Sequence, residues 1–182
     1  MLDSMFRWTS CALLAAACAA LPAQAPRYEL PLVRFEPSPP EVVRAMLELA
    51  EVGAADVVYD LGCGDGRIVI EAALRHGARG VCVDIDPKRI AEARENARQA
   101  GVTDRIRFFQ QDLFETDLRE ATVIALFLSP DFNLKLRPRL ERGLRPGARI
   151  VSHWHDMGDW KPHRRLDVKG SSRYHAIFLW RP

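Results

Sequence analysis

Val57-Val58-Tyr59-Asp60-Leu61-Gly62-Cys63-Gly64-Asp65-Gly66-Arg67 is the stretch that decides how this chain folds. Its first five residues lack the polar alternation of a half-exposed strand, so 57–61 is expected as a buried strand. Three glycines at alternate positions follow, and GxGxG permits a tight turn and close approach of a ligand to backbone N–H groups. A glycine triplet alone is weak evidence. Asp60, two residues before the first glycine, sharpens it, because a carboxylate there suits a ligand ammonium better than a pyrophosphate. Arg67 stands where a GxGxxG dinucleotide loop has its last glycine, which demotes NAD-type binding.

Outward from this loop the chain alternates. Residues 68–76 have helical periodicity and stop at Gly77, and Val81-Cys82-Val83 forms the next strand. Asp86-Pro87 opens a helix through Ala100, with Ile90, Ala93 and Ala97 on one side and Gly101 at its end. Strands are expected at 106–109 and 123–128, then a helix over 132–144 with a restart at Pro138, then a strand at 149–152. Upstream, Ser38-Pro39-Pro40-Glu41 predicts a helix start, with Ser38 as N-cap and Glu41 completing a capping box. Downstream, 165–168 and 174–180 have hairpin spacing around Gly170. The expected fold is α/β: a doubly wound, mostly parallel seven-stranded sheet ending in an antiparallel C-terminal hairpin.

The 182 residues carry 26 Lys+Arg against 24 Asp+Glu, a formal charge of +2, and 48% are apolar. That describes one globular domain and excludes disorder and coiled coil. It also argues against a protein that coats phosphates, which needs a clustered basic excess. The first 25 residues differ. Arg7 precedes the uncharged run 11–21, which leads to Pro22-Ala23-Gln24-Ala25, a small-x-small site of the kind a signal peptidase accepts. The run is about half of the roughly 20 apolar residues that span a bilayer. Residues 1–25 are therefore read as a secretory signal cleaved after Ala25, or a membrane tether, and 26–182 as the domain. A lipoprotein signal acylated at Cys18 lacks the usual branched residue upstream, and a mitochondrial presequence fits poorly with a single Arg. Beyond the leader only Cys63 and Cys82 remain. Two cysteines are expected to form no disulfide framework, and their usage looks cytosolic, at odds with the leader.

Ligands of such sheets bind at the carboxyl ends of the strands. Asp84, 24 residues after Asp60, ends the second strand, where an acidic side chain can accept from both ribose hydroxyls. Gln110-Gln111-Asp112-Leu113 follows the third, and Asp112 can accept from the exocyclic amine of adenine. An ammonium, a ribose and an adenine read by successive strand ends describe S-adenosylmethionine. Singly, each of these residues fits ordinary turn chemistry; their joint order does not. His153-Trp154-His155-Asp156, with His163, invites a metal reading, but no Cys or nearby Glu completes a set, and no metal is expected. The alternative is that Trp154, Met157 and Trp160 wall an acceptor pocket. Arg137-Pro138-Arg139 and His163-Arg164-Arg165 read as solvated faces.

DLGCGDGR at 60–67, the GVCVDIDP strand end, the QDLF segment and the terminal hairpin resemble a class I S-adenosylmethionine-dependent methyltransferase, a Rossmann-like fold whose seventh strand is antiparallel. The PSPPEVV lead-in, DLGCGDGRIVI, DLFETDL and LFLSP resemble more narrowly the protein-lysine N-methyltransferases of the ATP synthase c subunit and the adenine nucleotide translocator, with their bacterial relatives. The resemblance implies that Asp60, Gly62, Cys63, Gly64 and Gly66 hold the methionine end, Asp84 and Ile85 the ribose, and Gln111, Asp112 and Leu113 the adenine. It implies a protein substrate, no metal and no strong nucleic-acid signal. Ser129-Pro130-Asp131 departs from the Asn/Asp-Pro-Pro-aromatic run of relatives that methylate bases and glutamine, which puts nucleobase stacking in doubt. Asp131 is the candidate for contacting or deprotonating the acceptor, with Ser129 orienting it, though Asp131 also suits a helix N-cap. The rival functions are a small-molecule or RNA methyltransferase, and a non-catalytic S-adenosylmethionine-binding module. The leader implies an exported, periplasmic or membrane-tethered protein, with the cytoplasmic face left open.

Overall fold

The computed structural model of this chain describes residues 35–182, so the leader expected over 1–25 lies outside the described residues. The strands are β1 Val57–Leu61, β2 Arg79–Asp84, β3 Ile106–Gln110, β4 Val123–Leu126, β5 Arg149–His153, β6 Arg164–Lys169 and β7 Tyr174–Trp180. Among the described residues four α-helices accompany them: α1 Pro40–Leu49, α2 Arg67–His76, α3 Pro87–Gln99 and α4 Pro130–Gly143. The seven strands form one sheet in the order β3-β2-β1-β4-β5-β7-β6. β1 to β5 are parallel; β7 runs antiparallel between β5 and β6, leaving β6 as an edge strand. The chain begins mid-sheet, winds out to β3 and returns to β4. The order therefore reverses between β1 and β4, and a crevice opens at their carboxyl ends.

Side-chain alternation along β1 splits the core between two faces. Val58 joins a cluster with Val43, Met46 and Leu47 of α1 and Ala72 of α2, whereas Val57, Tyr59 and Leu61 pack with Leu136 and Leu140 of α4. Gly80 lets α2 lie close to the sheet, since a Cβ there would stand 2.8 Å from Cβ of Val69. No helix among the described residues is long and apolar enough to cross a membrane.

Four local expectations are corrected. Ser38 is not the N-cap of α1: Pro39 holds that place, and the Ser38 hydroxyl instead meets Nδ1 of His153 at 2.8 Å. Glu41 reaches across to accept from the backbone N–H of Ser171 at 3.0 Å. Pro138 does not restart α4, which runs through it. Leu136 and Leu140, both fully buried, fasten the helix on either side while Pro138 faces solvent. The fourth strand stops at Leu126, freeing Phe127 and Leu128 to turn toward the crevice.

Cys63 and Cys82, expected to form no disulfide framework and to have cytosolic usage, are joined in a disulfide with a Cα–Cα separation of 5.3 Å. Cys82 is the parallel partner of Asp60 in the sheet, so the glycine loop folds back directly over it. The link closes a loop of sequence separation 19. By chain entropy such a loop stabilises the fold by about 3 kcal/mol. Replacing both cysteines by alanine is expected to lower the urea midpoint and to raise the m-value, because the unfolded chain without the cross-link exposes more surface. An unaltered midpoint would show that the cross-link does not restrain the unfolded chain.

Candidate active site

The floor of the crevice is the glycine loop. The N–H groups of Gly62 and Cys63 both donate to the carbonyl of Val83, at 2.8 and 2.9 Å. Gly64 N–H donates to Oδ2 of Asp84 at 2.9 Å, and Oδ1 of the same carboxylate accepts from Asp86 N–H at 3.0 Å. Each Asp84 oxygen thus anchors one turn and keeps a lone pair. Asp65 is gripped by Arg67, whose Nε lies 2.9 Å from Oδ1 and whose Nη2 lies 2.5 Å from Oδ2; Nη1 donates to the carbonyl of Ser38 at 2.8 Å. Burial alone would raise the Asp65 carboxyl, but the Arg67 guanidinium outweighs it and holds the group below its ordinary value.

Asp60 has no such partner. It is 3% exposed, and no group among the described residues hydrogen-bonds its carboxylate. Burial, reinforced by the nearby Asp84 and Asp65 carboxylates, pushes its pKa from 3.8 up to about 8. A buried carboxylate left this way is poised for a cation that the ligand brings.

A cavity of about 470 Å³ fills the crevice, within the size range of small-molecule sites. Asp60, Gly62, Cys63, Asp84, Ile85, Asp112 and Leu113 border it. The other cofactor candidates lie behind its wall. Gly64 has φ +54 and backs onto the Phe35 ring, and Gly66, φ +79, packs on Ala93. Gln111 uses its side-chain amide to donate to Oγ1 of Thr116 at 2.9 Å. Asp112 caps the short turn Leu113–Glu115, its Oδ1 accepting from Phe114 N–H at 2.8 Å. Arg139 of α4 donates to the carbonyls of Leu113, Phe114 and Thr116, hanging this turn from the helix.

The opposite wall comes from segments distant in sequence: Phe35 and Ser38 before α1, Phe127, Leu128 and Ser129 after β4, and Phe132 and Lys135 on α4. The Arg89 guanidinium lies 4.3 Å over the Phe35 ring, and the Lys135 ammonium 4.4 Å from that of Phe114. Ser129 is the N-cap of α4 with no side-chain bond to the helix. Asp131 sits exposed in the first turn, outside the cavity lining, where its charge suits the helix dipole.

The segment after β5 departs most from expectation. Trp154 adopts a left-handed φ of 70 and points outward against His175. Met157 is buried in the core beside α4, and Trp160 packs on Trp180, whose Nε1–H donates to its carbonyl at 2.8 Å. None of the three borders the cavity. His153 and His155 do not converge either. His153 is 1% exposed with both ring nitrogens engaged, Nδ1 to Ser38 and Nε2 to Nδ1 of His175 at 2.9 Å. His163 Nδ1 accepts from Arg181 N–H at 3.2 Å. Among the described residues no group of three or more His, Cys, Asp or Glu is placed to hold a metal.

This sheet order, the glycine loop and the acidic ends of β1 and β2 define a class I S-adenosylmethionine-dependent methyltransferase. The Asp60 carboxylate, partnerless among the described residues, the Asp84 carboxylate and the Asp112–Phe114 turn all border this one cavity. The chain belongs to the family described as the ANTKMT methyltransferase domain, which matches residues 60–164. It is 43% identical over 152 residues to a protein-lysine N-methyltransferase of Saccharolobus islandicus, covering 83% of this chain and 94% of that one. It is 31% identical over 137 residues to the mouse adenine nucleotide translocase lysine N-methyltransferase, covering 75% of this chain but 58% of the relative. A solved structure described as an RNA methyltransferase from Salinibacter ruber, in complex with S-adenosyl-L-homocysteine, is 53% identical with a TM-score of 0.76, covering 80% and 92% of the two chains.

Proposed function

We propose that this enzyme methylates the side-chain amine of protein lysines. The observation that carries the reading is the acceptor wall: Phe35, Phe127 and Phe132, with the hydroxyls of Ser38 and Ser129 beside them. Aromatic faces suit the apolar stem and ammonium of a lysine, and two hydroxyls offer little with which to read a base edge. The lysine methyltransferases among its relatives support the same assignment. Methylation of RNA is the second reading. The Salinibacter protein, described as an RNA methyltransferase, favours it, and aromatic walls can also stack bases.

Bound S-adenosylmethionine supplies a methyl carbon made electrophilic by its sulfonium. The chain's own residues position and shield. Asp60 holds the ligand ammonium, Asp84 and Asp112 fix the nucleoside, and the phenylalanines keep water from the acceptor nitrogen. The acceptor must enter its reaction uncharged, although a free lysine titrates near about 10.4. To test the reading, the purified enzyme is incubated with tritiated S-adenosylmethionine and a cell extract. Label recovered as methyllysine after acid hydrolysis of the protein fraction is expected; nuclease-sensitive label would replace lysine by RNA.

We further propose that the chain is exported or tethered outside the cytosol. The leader pattern supports this, as does the Cys63–Cys82 disulfide, since such links persist in oxidising compartments. N-terminal sequencing of the protein recovered from cells checks cleavage after Ala25.

A further inference from the structure

A line of three buried polar side chains leads away from the acceptor wall, and the cofactor site does not use it. Ser38, 3% exposed, borders the cavity; its hydroxyl stands 2.8 Å from Nδ1 of His153, and Nε2 of His153 stands 2.9 Å from Nδ1 of His175. His153 and His175 are 1% and 4% exposed. The three come from the lead-in to α1, the end of β5 and the start of β7. Phe127, itself in the cavity wall, covers His153 with ring centroids 4.0 Å apart, and Trp154 stands edge-on to His175 at 5.6 Å. At the outer end Nε2 of His175 has no hydrogen-bond partner among the described residues and lies beside Gly170. A Cβ at Gly170 would come 2.8 Å from both Nε2 and Cδ2, so the absence of a side chain keeps this end clear.

A hydroxyl both donates and accepts, and a neutral imidazole does so through its two nitrogens, so the ring tautomers set the direction of the line; an exit toward solvent needs the one that starts at the hydroxyl. Ser38 O–H then donates to His153 Nδ1, His153 Nε2–H donates to His175 Nδ1, and His175 Nε2–H faces outward. Burial first, then His175, Arg173 and His155, drive the His153 pKa down to about 3, so the ring is neutral at ordinary pH. The charged and titratable groups around the line are few. Arg67, paired with Asp65, donates to the Ser38 carbonyl at 2.8 Å; Arg173, on the β6–β7 turn, lies over Trp154 and pairs with Glu36; His155 and Asp156 lie in the loop after β5.

We propose that Ser38, His153 and His175 form a proton exit that takes the proton of the acceptor ammonium to solvent. The proposal rests on the amine-acceptor reading above. Ser38 meets the acceptor; His153 and His175 act through it. One proton passes from the ammonium to the Ser38 oxygen as the serine proton moves to His153 Nδ1. The His153 Nε2 proton moves to His175 Nδ1, and the His175 Nε2 proton goes to water. One proton enters and one leaves, and both rings end neutral in the other tautomer. The amine nitrogen keeps the electron pair that makes the new N–C bond, while the pair of the breaking C–S bond stays on sulfur. The Ser38 hydroxyl is free for this work because it caps no helix.

Two measurements on the full chain test the exit. In ¹⁵N-histidine NMR, His153 is expected neutral at pH 7 with its proton on Nε2, and Ser38→Ala is expected to shift its Nδ1 signal. A proton on Nδ1 at rest, or a charged ring, overturns the proposal whatever the substrate. In the second, poly-L-lysine and tritiated S-adenosylmethionine are used across pH 6.5–10. Ser38→Ala is expected to lower kcat about 10- to 100-fold at the acid end, in the range of a lost proton-transfer group. The deficit should close toward pH 10, where the amine sheds its proton unaided, with S-adenosylhomocysteine affinity unchanged. Ser38→Thr, which keeps the hydroxyl, should restore the wild-type profile. A deficit uniform across pH, or none, overturns the exit. If the wild type labels no lysine, the amine-acceptor reading fails, and the NMR measurement still decides the direction of the line.

Discussion

Asp60→Asn is expected to weaken S-adenosylhomocysteine binding about 100-fold or more while leaving the unliganded fold intact. Asparagine keeps the shape of the side chain but offers the ligand ammonium no charge, and losing one partner of a buried pair costs about 3 kcal/mol or more. Asp60 differs from an ordinary capping aspartate because nothing among the described residues answers its carboxylate. A second signature follows from its pKa of about 8. At pH 7 the unliganded group is mostly protonated, and pairing with an ammonium forces it to ionise, so binding should release close to one proton. Calorimetry in two buffers of different ionisation heat reads this directly, and the variant should show no buffer dependence. The sign for stability is the reverse of the familiar aspartate case. The folded pKa lies above the ordinary 3.8, so the unliganded wild type is most stable below that value and loses stability as pH rises toward about 8. The variant should escape that loss. Equal affinity in the two proteins would remove Asp60 from the site.

Gly64→Val should make S-adenosylhomocysteine binding undetectable by calorimetry. The reason lies inside the protein, in contacts that GxGxG spacing alone does not show. A Cβ on Gly64 would stand 2.2 Å from Cε2 of Phe35, and its φ of +54 is strained for any side chain, most of all a β-branched one. The Phe35 ring must leave its place under Arg89, and the loop must lift. Lifting breaks the Gly64 N–H bond to Asp84, so damage at one glycine reaches the carboxylate assigned to the ribose. Thermal unfolding should fall as well, by about 2 kcal/mol from the backbone strain alone. An affinity equal to wild type would show that the loop tolerates a side chain and that its spacing is only turn chemistry.

Local chemistry carried far in this sequence. The uninterrupted apolar run of β1, the glycines after it and the carboxylates at successive strand ends are each set by neighbours within a few residues. Asp60, Asp84 and Asp112 accordingly stand on the cavity wall as expected. Distant pairings were not legible. Ser38 and His153 are 115 residues apart, and a Ser-Pro-Pro-Glu string reads as a helix cap unless the histidine that claims its hydroxyl is in view. The two cysteines read as cytosolic in usage because their number says nothing of a loop that folds back on the next strand. Asp131 had the right residue type, but the helix begins at Pro130 and carries it out to solvent. Trp154 had the bulk for a pocket wall, and a left-handed turn sends it away. Phe35 and Arg89, which line the cavity, carried no motif of their own, and Arg67 stood inside the glycine motif with nothing local to show its reach to the Ser38 carbonyl.

The hairpin that holds the outer histidine also ends the sheet. Of the six residues of β6, Arg164, Arg165, Asp167 and Lys169 are charged, and among the described residues no strand lies beyond its free side. A stray extended segment seeking to pair there would have to strip water from those charges, the means by which open sheet margins resist aggregation. The last 19 residues thus close off a surface that would otherwise template self-association.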